Sequence, residues 1–244
     1  MGLLHGRTGR LTAQTGGFRP GQNGKGSGGV AGQSQSVLPV SAAGLKTVAV
    51  VGPSADSPSA YIGDYAPQPA YYTTAVSGAR ALLPHATVLT APGCENIECG
   101  DDKMFGPAVA AAGKAGKGGM VVFVGGLNGT FNMAEGEGHD RDSVELLGQQ
   151  LPLMKATAAA AKQAGSSFVV VLVGSAVAAG WAKEHADAVI SAGYGGQEAG
   201  NAIWDVILGQ YNPSGRLSTT WPRDDTQVRK LPSRPRSWVN FSLS

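Results

Sequence analysis

The residues best suited to chemistry lie between positions 125 and 143, after a short apolar run. Two carboxylates, Glu135 and Glu137, stand two residues apart, and Asp140 is followed by Arg141. A carboxylic acid in such a loop could donate a proton to a leaving oxygen, and the glycines around Glu137 would let the backbone approach a ligand closely. The same residue types also suit a solvated acidic loop with an Asp-Arg ion pair, so both interpretations stay open on residue types alone.

A second loop, residues 193–198, reads Gly-Tyr-Gly-Gly-Gln-Glu and also follows an apolar run. Its glycines could suggest a phosphate cradle, but the Lys-Ser/Thr pair that completes a P-loop is missing. A helix start packed on a sheet is the better interpretation of this loop. Asp64 follows the first apolar run of the chain, which makes it a further candidate for contacting a ligand.

The elements that must position these residues alternate between short apolar runs and helical segments. Runs near positions 47, 120, 168 and 188 include stretches without polar alternation, which is typical of strands covered on both faces. Helices are predicted at 74–83, 105–117, 150–164 and 197–208, with a further short strand at 86–90. This order predicts a three-layer α/β sandwich with a mostly parallel sheet, in which binding groups gather at the carboxyl ends of the strands.

The two ends of the chain differ from this central part. Residues 1–36 are rich in Gly, Ser, Gln and Thr and lack apolar periodicity, so they are predicted to form a disordered tail. Residues 224–244 are predicted to form an irregular tail, which leaves residues 37–223 as the folded domain. The net charge of +2 comes from basic residues near the start of the chain, and we expect no nucleic-acid partner.

The two cysteines, Cys94 and Cys99, stand without a surrounding Cys/His cluster, so we expect no metal. A local disulfide is favoured over two free thiols, and it would suit an oxidising compartment. No uninterrupted apolar stretch is long enough to predict a membrane span. The first residues lack the apolar core of a signal peptide, so a secreted location and a lost leader stay open beside a location inside the cell.

Several segments, in chain order, resemble the C-terminal domain of glycoside hydrolase family 3. Residues 137–141 (Glu-Gly-His-Asp-Arg) resemble the family's Glu-Gly-x-Asp-Arg signature, and residues 193–200 resemble its Gly-Tyr-Pro-Gly-Gln-Glu-x-Gly segment. Residues 209–217 are similar to its Gly-Asp-Tyr-Asn-Pro-Ser-Gly-Arg-Leu signature. The resemblance covers residues 37–222, and residues 61–65 with the cysteine pair look most like the plant-type β-xylosidase branch.

The resemblance implies hydrolysis of terminal β-linked xylose, arabinose or glucose from oligosaccharides by a retaining mechanism, with no cofactor. Retaining enzymes use one carboxylate as nucleophile and a second as acid/base. The acid/base role would fall on Glu137, which keeps the family's spacing to Asp140 and Arg141, with Glu135 as the competitor. Asp140, Arg141 and Asp64 would contact the substrate.

The sequence departs from the family's pattern at three loop or boundary positions. Leu147, Gly195 and Ser218 stand where the family usually has Pro. A larger departure concerns the family's (β/α)₈ barrel, which carries the nucleophile and should precede this domain. Only the Gly-rich segment precedes it here, so we expect the chain to need a barrel partner and to be inactive alone. The alternatives are a non-catalytic sugar-binding or structural remnant, or an unrelated flavodoxin-like ligand binder.

Aromatic residues concentrate in the loops that would face such a barrel. We therefore expect an exposed apolar docking face at those loops. Its members would be Tyr61, Tyr65, Tyr71, Tyr72, Phe131 and Tyr194.

Overall fold

The computed structural model describes residues 12–14, 37–128, 135, 141–213, 217 and 219–228. The strands are β1 (Thr12–Gln14), β2 (Thr47–Val51), β3 (Thr87–Ala91), β4 (Met120–Gly126), β5 (Ser167–Val173) and β6 (Ala188–Gly193). They form one sheet in the order β1-β6-β5-β4-β2-β3. All neighbours pair in parallel except β1, which runs antiparallel to β6.

Helices cover both faces of this sheet. The helices are α1 (Ala75–Leu82), α2 (Phe105–Lys114), α3 (Gln150–Ala164), α4 (Gly180–His185) and α5 (Ala199–Ile207). Buried side chains of α1 and α5 pack on one face, and those of α2, α3 and α4 pack on the other. The predicted three-layer α/β sandwich is therefore confirmed, with the strands near 47, 120, 168 and 188 adjacent as expected.

The core is continuous through the sheet because successive strand residues point to opposite faces. Val122 and Val124 of β4 join the cluster beneath α1 and α5, whereas Val121 and Phe123 join the cluster beneath α2 and α3. Every residue of β4 is buried. This double burial explains why its sequence shows no polar alternation.

Helix α1 begins with a capping box. The Thr74 side chain accepts from the backbone N–H of Ser77 at 3.1 Å, and Ser77 Oγ accepts from the backbone N–H of Thr74 at 2.7 Å. Thr74 Oγ1 also donates to Asp56 Oδ1 at 2.6 Å. The helix start is thereby tied to the segment that follows β2.

Two glycines turn the chain outward at the carboxyl edge of the sheet. Gly52 (φ 109°) follows β2, and a Cβ there would lie 2.3 Å from the carbonyl oxygen of Val124. Gly126 (φ 127°) ends β4, and a Cβ there would lie 2.2 Å from the carbonyl oxygen of Val173. Only glycine fits these close approaches, so both loops leave the sheet from a fixed position.

The structure adds elements that the sequence patterns did not include. Helix α4 was not predicted, and the short strand β1 lies within the segment predicted to be a disordered tail; the remaining residues of that segment lie outside the described ranges. Helix α2 ends at Lys114 instead of Lys117. Gly116 and Gly118 follow it with φ of 70° and 77°, which a helix cannot contain.

Candidate functional site

The carboxyl edge of the sheet brings Glu135 into contact with two other chain segments and with Arg141 of its own loop. Its Oε2 accepts hydrogen bonds from the Tyr194 hydroxyl and, at 3.1 Å, from the backbone N–H of Ser175. Its Oε1 lies 3.6 Å from Nη2 of Arg141. Tyr194 and Ser175 directly follow β6 and β5, whereas Arg141 lies on the same loop after β4 as Glu135, so the ends of two neighbouring strands meet this loop at one carboxylate.

Arg141 connects this carboxylate to the turn after β5. Its Nη2 also donates to the carbonyl oxygen of Ala176 at 3.0 Å. The Arg141 and Glu135 side chains are only 18% and 13% exposed, so their attraction is screened less than that of a surface pair. The Nη1 atom of Arg141 is buried and has no hydrogen-bond partner within the described part of the chain, which leaves it unused donor capacity.

Tyr194 stands directly after β6 and is half-buried. Burial raises the pKa of Tyr194 above its ordinary value, and the hydrogen bond and negative charge of Glu135 raise that pKa further. The charge of Asp64 acts in the same direction, which places this predicted residue electrostatically near the cluster. The Tyr194 hydroxyl therefore stays protonated and remains a donor to Glu135.

The structure brings together some of the residues predicted from the sequence. Glu135 and Arg141 are in contact, and Asp64 is half-buried in the loop after β2. Glu137 and Asp140 lie outside the described residues. Of the segment between β4 and α3 that bears the predicted acid, the structure describes residues 127–128, 135 and 141–149.

The predicted aromatic docking face needs one correction. Tyr61 is fully buried; its hydroxyl donates to the carbonyl oxygen of Ser54 at 2.6 Å and accepts from the backbone N–H of Ala75 at 3.2 Å. The Tyr61 hydroxyl stabilises the loop after β2, because these two buried backbone groups need hydrogen-bond partners. Tyr65 and Tyr71 are exposed, at 84% and 52%. Phe131 lies outside the described residues.

Sequence reasoning missed the role of Gln150. This buried side chain donates from Nε2 to the carbonyl oxygens of Ile97 and Gly126, at 2.7 and 3.0 Å, and accepts from the backbone N–H of Gly126 at 2.9 Å. It fixes the point at which the loop that carries Glu135, called the candidate loop below, leaves β4. The signal available was a Gln at the start of an Ala- and Leu-containing helix, since a buried amide must find partners.

The loop between the two cysteines lies next to Gln150, whose Nε2 donates to Ile97 within that loop. Cys94 and Cys99 are joined by a disulfide, with Cα atoms 4.9 Å apart. The carbonyl oxygen of Cys99 accepts from the backbone N–H of Gln149 at 2.8 Å. The disulfide loop therefore supports the start of α3, and through Gln150 the end of β4.

The far end of the candidate loop is anchored by Asp225. Its Oδ2 accepts from Ser143 Oγ and its Oδ1 from the backbone N–H of Val144, both at 2.8 Å. The loop is thus held at Gly126, at Glu135 and at residues 143–144.

No group of three or more His, Cys, Asp or Glu side chains within the described ranges could hold a metal ion. None of the described helices has the length and apolar character needed to cross a membrane.

Known proteins place this arrangement in a family. The sequence model described as "Glycosyl hydrolase family 3 C-terminal domain" matches residues 33–241. A "Beta-xylosidase/alpha-L-arabinofuranosidase 1" from Medicago sativa subsp. varia is 35% identical over 199 residues, covering 80% of this chain and 24% of the relative. A "Beta-D-xylosidase 1" from Arabidopsis thaliana is 36% identical over 197 residues, again covering 80% and 24%. The chain therefore spans about a quarter of the length of these curated relatives.

Solved structures agree in fold. A GH3 exo-β-xylosidase in complex with a xylobiose aziridine probe superposes with a TM-score of 0.66 at 30% identity, covering 78% of this chain and 23% of that one. A GH3 β-glucosidase from Bifidobacterium adolescentis gives a TM-score of 0.65 at 33% identity, covering 79% and 27%. The sheet and its helices are therefore those of the same domain in these enzymes.

Proposed function

The chain belongs to glycosyl hydrolase family 3, whose C-terminal domain it contains, and from that membership we propose that it supplies the acid/base carboxylate of a retaining glycosidase. The complete enzyme would release terminal β-linked xylose, arabinose or glucose from oligosaccharides. Xylose is the favoured sugar, because similar proteins carry the name β-xylosidase. Oligosaccharide and a barrel domain are then the partners of this chain.

The observation that carries this proposal is the anchoring of the loop after β4. Glu135 is held by groups that follow β5 and β6 and by Arg141 of its own loop, and Gln150 and Asp225 fix the two ends of that loop. A general acid must meet the leaving oxygen within hydrogen-bonding distance, so the segment that carries it needs a fixed position. A solvated acidic loop would need no such set of contacts.

We assign the acid/base role to Glu137 and a positioning role to Glu135. Both oxygens of Glu135 already face donors, because Oε2 accepts from Tyr194 and Ser175 and Oε1 lies against Arg141. A carboxylate bound in this way cannot turn to a substrate without losing those contacts. Glu137, two residues further along the loop, is the remaining carboxyl with the family's spacing to Asp140 and Arg141.

The second catalytic carboxylate belongs, in this proposal, to a (β/α)₈ barrel that faces the same edge of the sheet. Retention requires a nucleophile about 5–5.5 Å from the acid/base, on the opposite side of the sugar ring. The acid protonates the glycosidic oxygen while the nucleophile forms the glycosyl-enzyme. Water then hydrolyses that intermediate, with Glu137 acting as base. Arg141 and Asp64 would contact the sugar or orient the loop.

Hydrolysis assays of the chain with and without a fused barrel domain test these assigned roles. The 244-residue chain alone should not hydrolyse aryl β-xylosides, and fusion to a family 3 barrel should produce activity. Within the fusion, Glu137→Gln should lower kcat/KM for xylobiose by about 10²–10⁴-fold, and Glu135→Gln should lower it less. Circular dichroism of each variant controls for folding. Robust turnover by the chain alone, unaffected by Glu137→Gln, would contradict the proposal.

A further inference from the structure

The outer edge of β6 holds a strand that comes from outside the part of the chain matched by the family. The family match begins at residue 33, whereas β1 (Thr12–Gln14) lies upstream of it. The three residues of β1 run antiparallel to β6 and stand opposite Val189–Ser191. β6 thus pairs with β5 on its inner side and accepts an added strand on its outer side.

The backbone of β6 would be a template for another chain if β1 were absent. A strand at the end of a sheet presents a row of unpaired N–H and C=O groups, and proteins often protect such an edge with charged side chains or proline. β6 (Ala188–Gly193) contains neither a charged residue nor proline. It includes the β-branched pair Val189 and Ile190, and uncharged β-branched segments of this length are prone to pair with copies of themselves.

The carboxylate next to β6 faces its inner neighbour. Asp187 Oδ2 accepts from the backbone N–H of Phe168 in β5 at 2.8 Å, so this charge lies on the inner side of β6. Along β6 itself, Ile190 is buried, whereas Val189 and Ser191 are half-buried. Pairing of two β6 strands would therefore bring together uncharged backbone and small or apolar side chains.

β1 ends the sheet in a much shorter strand than β6. It pairs with three of the six residues of β6. A very short edge strand offers little template for a further chain, which is one way in which proteins limit edge-to-edge association. Pairing over three residues is also weak by itself, so β1 can open locally while the parallel strands stay folded.

The covalent connection favours β1 over a second copy at this edge. Residues 15–36 join β1 to the rest of the chain. A tethered segment acts at its site with an effective concentration of the order of millimolar. Because a second copy in dilute solution is far less concentrated, β1 keeps its place in the intact chain.

We propose that β1 is a capping strand and that the edge of β6 beneath it is a self-association surface, whose partner is β6 of a second copy in antiparallel pairing. Such a contact uses the same patch on both copies and joins the two sheets across a two-fold axis. The inference does not rest on the proposed function, because this edge runs along β6 and not across the strand ends near Glu135.

Size-exclusion chromatography with light scattering, over a range of chain concentrations, tests this surface. Ala13→Pro combined with Gln14→Pro should uncap β6, because one of any two neighbouring residues in an antiparallel strand donates its N–H to the partner strand. The intact chain should have the mass of one chain, and the double-proline variant should approach twice that mass as its concentration rises. Gly28→Pro combined with Gly29→Pro, between β1 and the family-matched domain, is the matched control and should stay at one.

A further substitution and amide hydrogen exchange locate the contact. Ser191→Lys, added to the double-proline variant, should return it to the mass of one chain, because lysine on an edge strand opposes pairing. The amides of Val189–Ser191 should include one that exchanges faster in the dilute double-proline variant than in the intact chain. That amide should become protected again when the variant associates.

A folded double-proline variant that keeps the mass of one chain at every concentration would overturn the proposal. Association that Ser191→Lys does not reduce would also overturn it, since another surface would then be responsible. Loss of the circular dichroism spectrum on the double-proline substitution would show that the fold requires β1, and the capping role would be wrong. Absence of activity in the barrel fusion, with these masses as expected, would count only against the proposed function.

Discussion

Tyr194 holds Glu135 through a hydroxyl that stays protonated, because burial and the neighbouring carboxylate raise its pKa. Tyr194→Phe removes this donor but keeps the ring that packs against Gly63. We expect the free energy of unfolding to fall by about 1–3 kcal/mol, as for a hydrogen bond to a charged group. Urea denaturation at neutral pH measures it. Tyr211→Phe is the control, since Tyr211 is 56% exposed, and it should cost little.

Two tyrosines also predict how stability depends on alkaline pH. Burial is the main cause that raises the pKa of both Tyr61 and Tyr194 above the ordinary value of 10.0. The unfolded chain therefore loses these phenolic protons at lower pH than the folded chain does. Stability from this source is fully present below about pH 10 and is lost as pH rises above it.

Urea denaturation at a series of pH values between about 8 and 11.5 checks this sign. The free energy of unfolding should decline above about pH 10. Tyr61→Phe should shrink the decline, since phenylalanine has no proton to lose. A free energy of unfolding that stays constant across this interval, or that rises with pH, would show that deprotonation of these tyrosines does not destabilise the folded chain.

The position of Glu135 in the fold could be predicted from the sequence, but its hydrogen-bond partners could not. Its type and its place after a buried strand predicted a polar group at the carboxyl edge of the sheet. Its partners Ser175 and Tyr194 are 40 and 59 residues away, and only the folded sheet brings those strand ends together. The spacing to Asp140 and Arg141 had already favoured Glu137 over Glu135 as the acid; the tertiary contacts add only that the Glu135 carboxylate is engaged.

At the scale of elements, Gln150 connects α3 to the candidate loop and the disulfide loop. Gln150→Leu would leave the Gly126 amide groups and the Ile97 carbonyl without their partner in a buried place. We expect a loss of about 2–4 kcal/mol in the free energy of unfolding. Gln149→Leu is the matched control, because Gln149 is exposed, and it should change stability little. Equal effects of the two substitutions would refute this role.

The elements were predictable where a long pattern specified them. Helix α3 has the predicted bounds, Gln150–Ala164, and β5 begins one residue before its predicted start. Helix α4 has six residues, too few for an apolar period to emerge. Strand β1 pairs with β6 through backbone groups, which a Gly- and Thr-rich sequence does not reveal.

For the whole molecule, the carboxyl edge carries both the candidate loop and exposed aromatic residues. Tyr65 and Tyr71 lie on the loop between β2 and α1, and the Tyr71 hydroxyl donates to Glu198 after β6. Relatives of this chain are about four times as long as the part it matches. We infer that this edge is where the rest of the enzyme docks, with Tyr61 excluded because it is buried.

The measurement that most directly tests Glu137 as the acid is the dependence of rate on the leaving group, in the chain fused to a family 3 barrel. A dinitrophenolate departs without a proton, whereas a sugar alkoxide needs one. Glu137→Gln should lower kcat/KM for xylobiose by about 10²–10⁴-fold, while kcat/KM for dinitrophenyl β-xyloside should stay close to that of the unsubstituted enzyme. Equal losses with both substrates, or the selective loss appearing with Glu135→Gln instead, would contradict the assignment.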